Sequence, residues 1–82
     1  MASKAFVLIE TTVGKTREVV TSLRKLEGVK SVDPVTGPYD VIAIIEGKSL
    51  TDIGDLVTAK VHSLPGISRT VTCLTIDLQA IR

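Results

Sequence analysis

The residues best suited to hold a small molecule sit together in one turn, Thr36-Gly37-Pro38-Tyr39-Asp40, directly ahead of the apolar run Val41 to Ile45. Gly37 has no side chain, so a ligand can approach the backbone there and meet unobstructed N–H groups. Tyr39 offers an apolar wall with a polar tip, and Asp40 an anionic acceptor suited to an ammonium group. The same five residues also make an ordinary β-turn, in which Asp40 would bond only to nearby backbone N–H groups. Residue types alone leave both readings standing. In either, Pro38 stiffens the turn and removes one N–H donor.

Other polar groups are sparse. Ser68, Thr70 and Thr72 alternate along one side of a late segment and could offer hydroxyls to a small zwitterion, although Thr is favoured in strands for its own sake. His62 is the only histidine and lies near a helix end, where a partly positive ring suits the dipole. No second histidine or cysteine accompanies it at ligand spacing, so no metal site is expected. The single cysteine, Cys73, excludes an internal disulfide and reads as a small apolar strand residue. Asp52 and Asp55 fall on the first turns of a helix and serve its free N–H groups. The chain has no Gly-x-Ser-x-Gly elbow, phosphate loop or dinucleotide fingerprint. No catalytic residue and no cofactor are expected.

Composition narrows the classes further. The 82 residues make a single domain, 1–82, with its core over 5–78, large enough for one two-layer core. Ten basic residues against nine acidic ones, scattered singly, form no patch for a phosphate backbone. Phe6 and Tyr39 are the only aromatics available for base stacking, so direct nucleic-acid binding is not expected. The N-terminus lacks the apolar core of a signal peptide, and no run approaches about 18 apolar residues. The expectation is a cytoplasmic protein with no membrane partner.

These groups must be positioned by regular elements. Ala5 to Ile9 and Val41 to Ile45 are short apolar runs, rich in branched side chains, that read as strands. Val19, Val20, Leu23 and Leu26 share one helix face, and Gly28 supplies the stop. Val29 to Val35 contains Pro34, which has no ladder N–H, and so belongs at a sheet edge. Ser49 is a good N-cap for a second helix carrying Leu50, Ile53, Val57 and Leu64, ended by Pro65-Gly66. Ile67 to Leu78 forms the last strand. The order is strand, helix, strand, strand, helix, strand, and the exit signals Leu26-Glu27-Gly28-Val29 and Leu64-Pro65-Gly66-Ile67 repeat each other. Two such units give an α+β, ferredoxin-like βαββαβ sandwich: a four-stranded antiparallel sheet with two helices on one face.

That architecture leaves the other face of the sheet open. Roughly half of the side chains in the two apolar strands must point there, and each large one left in water forgoes about 1.5–3 kcal/mol of burial. Monomers rarely carry such a patch. A homodimer formed through the sheet follows, unless the last strand and tail fold over the patch. On the residues alone the chain is a dimeric binding module.

The assembled pattern resembles the effector-binding domain of the Lrp/AsnC family of transcriptional regulators, the RAM domain, from Ala5 to about Leu78. The residues that carry the similarity are Leu26-Glu27-Gly28-Val29, Val35-Thr36-Gly37-Pro38-Tyr39-Asp40 ahead of the apolar strand, and Leu64-Pro65-Gly66-Ile67 followed by Thr70 and Thr72. The resemblance implies a dimer built through the sheets, further association into a ring of dimers, and an amino acid or related metabolite held between dimers. It implies that Thr36, Gly37, Tyr39 and Asp40 hold the backbone end of the ligand, with Thr70 and Thr72 completing the pocket from another subunit. Regulators of that family carry an N-terminal helix-turn-helix, whereas this chain begins within a few residues of its first strand. The expectation is a stand-alone sensing domain that regulates indirectly, with full-length Lrp/AsnC regulators as a further partner. Two rivals are a small dimeric ferredoxin-like barrel enzyme of monooxygenase or isomerase type, and a ligand-free oligomerisation module.

Overall fold

Strict alternation of buried and half-buried residues along the two apolar strands sets the plan of the molecule. The computed structural model describes residues 3–76. In it β1 (Ser3–Thr11), β2 (Val29–Pro34), β3 (Val41–Gly47) and β4 (Ile67–Leu74) form one sheet in the order β2-β3-β1-β4, each neighbour antiparallel. The apolar strands β1 and β3 are central, and Pro34 ends the edge strand β2. Two helical segments cover one face: α1 (Thr16–Arg24), and α2 (Leu50–Asp55) with its continuation Leu56–Val61.

Ala5, Val7 and Ile9 of β1 and Val41, Ala43 and Ile45 of β3 are buried against Val19, Val20 and Leu23 of α1 and Ile53, Val57 and Val61 of the second helix. No polar side chain is buried among the described residues. The fold is therefore held by aliphatic burial, at about 1.5–3 kcal/mol for each large side chain taken from water. The intervening residues Phe6, Leu8, Ile42 and Ile44 are only half-buried and occupy the opposite, uncovered face. Val71 and Cys73 join them there, opposite Leu8 and Phe6. The last strand adds to the sheet edge and does not cross this patch.

Ser49 caps the second helix, its hydroxyl accepting the Asp52 N–H at 3.2 Å, and the Asp52 carboxylate accepts the Lys48 N–H at 3.1 Å. Leu50 lies outside the core at 59% exposure, and Val61 takes the buried place at the other end. The place of Val61 follows from the helix geometry. Ile53, Val57 and Val61 are spaced by four, and a 3.6-residue repeat would rotate Val61 about 80° away from Ile53. From Leu56 to Val61 the turns widen into a π-helix, closed by the His62 N–H donating to the Val57 carbonyl at 2.9 Å. The widening keeps all three over the sheet.

Other boundaries differ by a few residues. β1 and β3 run longer than their apolar runs, because backbone pairing continues through Ser3-Lys4 and Glu46-Gly47. The first helix ends at Arg24, and Leu26 packs against the core from the turn that follows. The last strand ends at Leu74, and the expected strand residues 77–78 lie outside the described residues. No described helix is long and apolar enough to cross a membrane.

Candidate functional site

Thr36, Gly37 and Pro38 are exposed, and Tyr39 and Asp40 half-buried, in the loop that joins the edge strand β2 to the central strand β3. Gly37 has φ +142°, in the region that favours glycine, and a Cβ built there meets nothing within 4 Å. Its backbone is thus open to approach. The loop is closed behind by the Val35 N–H donating to the Asp40 carbonyl at 2.9 Å.

Asp40 is anchored inward. Its N–H donates to the Ile9 carbonyl at 2.9 Å, and its Oδ2 accepts the Thr11 N–H at 2.8 Å and the Thr11 hydroxyl at 3.1 Å. Thr11 Oγ1 is also 2.7 Å from Thr16 Oγ1 at the start of α1. One carboxylate oxygen therefore ties the end of β1 to the turn and, through Thr11, to the first helix. Next to it, the Thr12 N–H donates to the Gly66 carbonyl at 2.7 Å. All three connections at this end of the sheet meet at Thr11 and Thr12.

Tyr39 points to the other side. The Arg69 guanidinium lies over its ring, 5.7 Å from the centroid, with Nη2 3.4 Å from the hydroxyl. Arg69 faces Glu10 across the β1–β4 pairing, on the open face of the sheet. A register shift between Glu10 and Thr11 leaves Ser68 as an extra residue, and its hydroxyl donates to Glu10 Oε1 at 3.4 Å. Ser68 therefore shares the open face with Arg69, and the expected side of three hydroxyls is reduced to Thr70 and Thr72.

Thr70 and Thr72 stand opposite Ile9 and Val7, on the helix face of the edge strand. Thr70 Oγ1 is 2.7 Å from His62 Nε2, beside a cleft of about 320 Å³ bordered by His62, Ile67, Ser68, Arg69 and Thr70. Thr72 and Leu74 form one wall of a smaller apolar groove of about 220 Å³ against Leu50, Ile53 and Val57. Within one chain, then, the fold joins Tyr39 and Asp40 to β4 and β1 through Arg69 and Thr11. It does not bring the turn to Thr70 or Thr72, which face the other way.

Sequence reading missed Thr11 and Arg69 as partners of the turn. Thr11 carried a signal, being a polar β-branched residue at the close of an apolar strand. The Arg69–Tyr39 contact had none, because it depends on the β1–β4 register. His62 caps the end of the widened helix, and its bond to Thr70 across to β4 had no signal in the sequence either.

Comparison with known proteins agrees with this architecture. The pattern of the Lrp/AsnC ligand binding domain matches residues 4–78. The HTH-type transcriptional regulator FL11 of Pyrococcus abyssi is 33% identical over 70 residues, which are 85% of this chain and 46% of that protein. The chain spans about half the length of the curated relatives it matches. Among solved structures, the hypothetical protein PHS023 from Pyrococcus horikoshii superimposes with a TM-score of 0.86 at 36% identity, covering 94% of this chain and 92% of that one. The transcriptional regulator NMB0573 from Neisseria meningitidis, solved as a complex with L-Met, gives a TM-score of 0.82 over 92% of this chain and 50% of its own. At 19% identity that likeness concerns the fold.

Proposed function

The chain belongs to the family of Lrp/AsnC ligand binding domains, and on that premise we propose that it is a non-enzymatic amino-acid-sensing and oligomerisation domain. It joins copies of itself through the open sheet face, forming homodimers and then a ring of dimers, and holds an amino acid or related metabolite between subunits. Ligand-linked assembly then adjusts transcription or amino-acid metabolism indirectly, either alone or together with full-length Lrp/AsnC regulators. In this reading Thr36, Gly37, Tyr39 and Asp40 form one wall of the ligand site, and Thr70 and Thr72 of another subunit form the other. The site operates in the cytoplasm.

The observation that carries the proposal is the separation of these two groups. Tyr39 lies with Arg69 at the open face of the sheet, whereas Thr70 and Thr72 stand on the helix face of β4, so within one chain the turn and these hydroxyls do not meet, and a second chain can place one against the other. The apolar patch of Phe6, Leu8, Ile42, Ile44 and Val71 gives the copies a reason to associate. The neighbour of the same fold solved with L-Met supports an amino acid as the ligand class. A ligand that binds one assembly better than another shifts the balance between them by its differential affinity, which is sufficient for signalling without catalysis.

Thermal-shift screening against the common amino acids, paired with light scattering to read the assembly, is the direct test. At a ligand concentration near 100 Kd the native state gains about 2.7 kcal/mol, an upward shift in Tm of roughly 10–20 °C for a domain of this size. Thr70→Val should abolish the shift while the apparent mass of the unliganded protein stays the same. No stabilisation by any amino acid at millimolar concentration would leave the assembly reading without its ligand and sink the proposal.

A further inference from the structure

Along the outer flank of α1 lies a groove of about 570 Å³, separate from the turn, walled by the helix on one side and by the end of β2 on the other. Arg17, Thr21 and Arg24 border it from the helix, at positions i, i+4 and i+7, which fall on one face. Val20, only 7% exposed, and Pro34 supply an apolar floor and wall, and Thr16 closes the end nearest the turn. None of the bordering residues is acidic.

Both cations of the groove therefore lie without an acidic neighbour in its lining. Among the described residues the one ion pair is Lys15 with Glu18, at 3.7 Å, and neither arginine takes part in it. Arg24 Nη2 donates to the Val32 carbonyl at 3.0 Å, across the gap between α1 and β2. That bond holds the guanidinium in place and leaves the remaining N–H groups of its fork for an acceptor with planar oxygens. No hydrogen bond of the Thr21 hydroxyl occurs among the described residues. Seven residues of helix separate the two guanidinium stems by about 10 Å, and a long side chain from each can close on a molecule lying between them.

We propose that this groove binds a small polyanionic metabolite, with phosphate or carboxylate groups gripped by Arg17 and Arg24 and a central oxygen accepting the Thr21 hydroxyl. Concavity and the small number of cations favour a small ligand over a nucleic acid, whose backbone needs a longer run of positive charge. The inference does not rest on the amino-acid reading. The two sites share no ligand-contacting residue; they are joined by the hydroxyl pair Thr16–Thr11 and by the chain running from Pro34 through Val35 into the turn.

Isothermal titration of the 82-residue chain with sodium tripolyphosphate and, separately, with sodium glutarate at matched ionic strength tests the proposal. Saturable binding of one of them is expected, and tighter binding of the first assigns phosphate while the reverse assigns carboxylate. Arg17→Gln, on an exposed position, should weaken the better probe about tenfold or more, the worth of one charge-assisted contact, with an unchanged unfolding temperature. Lys60→Gln, which removes an equal charge from the other helix, should leave binding as it is. Arg24→Gln also loses the bond to Val32, so Arg17→Gln and Thr21→Val carry the decision if that variant unfolds. The proposal is overturned if neither probe saturates, or if Arg17→Gln binds like the wild type. Equal weakening by Lys60→Gln overturns it too, because binding would then follow net charge. An amino acid that binds while both anions fail would sink this inference and leave the sensing proposal intact.

Discussion

Replacing Asp40 by alanine separates two uses of one carboxylate, as a contact for a ligand's ammonium group and as a brace inside the fold. The geometry gives the size of the second. Oδ2 accepts the Thr11 N–H at 2.8 Å and the Thr11 hydroxyl at 3.1 Å, both in a part-buried setting. A hydrogen bond to a charged group contributes about 1.5–3 kcal/mol, and the lower end applies where water can replace the lost partner. Two such bonds sharing one oxygen do not add fully, so Asp40→Ala should cost roughly 2–3 kcal/mol. In a domain of this size that lowers Tm by about 10–20 °C. Asp40→Asn keeps an acceptor oxygen in place and loses its charge, and should cost about 1 kcal/mol.

The assay is urea unfolding of the wild type, Asp40→Ala, Thr11→Val and the double variant, all at one protein concentration, because association makes apparent stability concentration-dependent. The double-mutant cycle should return a coupling of about 1 kcal/mol between Asp40 and Thr11, with the slope against urea unchanged. If Asp40→Ala instead stays within about 0.5 kcal/mol of the wild type, the brace is absent in solution and the carboxylate is free for a ligand. That result refutes the reasoning even if the variant also loses its response to amino acids.

Three other outcomes follow from the packing. Gly66 has φ +93°, and a Cβ there would lie 2.9 Å from Lys15 Cβ and 3.1 Å from Val19 Cγ2, so Gly66→Ala should cost about 2–4 kcal/mol through combined backbone strain and overpacking. Gly54 sits in α2 with nothing within 4 Å of a built Cβ, so Gly54→Ala should stabilise by about 0.5–1 kcal/mol, and the two Tm shifts should have opposite signs. Leu23, fully buried beneath α1, should lose about 2–5 kcal/mol as Leu23→Ala, read by the same urea curves. Ile44→Asp, on the uncovered sheet face, should reduce the mass measured by light scattering to that of one chain while the circular dichroism spectrum is retained; an unchanged mass removes that face as the association surface.

Much of the architecture was legible because it follows from local rules. Two uninterrupted apolar runs are suited to central strands, Pro34 to an edge, and Ser49 with Asp52 to a helix start. What escaped depends on geometry that spans elements. Leu50 has the right spacing for the core, yet at the first turn of α2 it borders the open groove beside Thr72 and Leu74 and stays exposed. Ser68 has the right parity to join Thr70 and Thr72, yet one extra residue at the start of β4 turns it to the other face. The turn itself was the hardest to read. Its residue types favour a plain turn and the family resemblance a ligand contact, and the placement of Thr11 beside Asp40 shows how much of it is internal structure.

That placement alters which atoms of the turn are available to a ligand. With the Asp40 N–H held by Ile9 and Oδ2 by Thr11, the inward side of the residue is occupied. Tyr39 is stacked beneath Arg69, and Pro38 has no N–H to offer. The groups still facing solvent are the backbone at Gly37, with open space where a side chain would be, and the hydroxyl of Thr36. In the proposed sensor these are the atoms that meet the backbone end of an amino acid, and Asp40 serves mainly by fixing their position. The division has a clear signature. Asp40→Asn, which keeps the brace at reduced strength, should retain most of the response to the ligand. Gly37→Val, which crowds the open backbone and forces a β-branched residue to φ +142°, should lose that response entirely. If the two variants behave the other way round, with Gly37→Val responsive and Asp40→Asn silent, the ligand is reading the carboxylate and the assignment of roles within the turn is reversed.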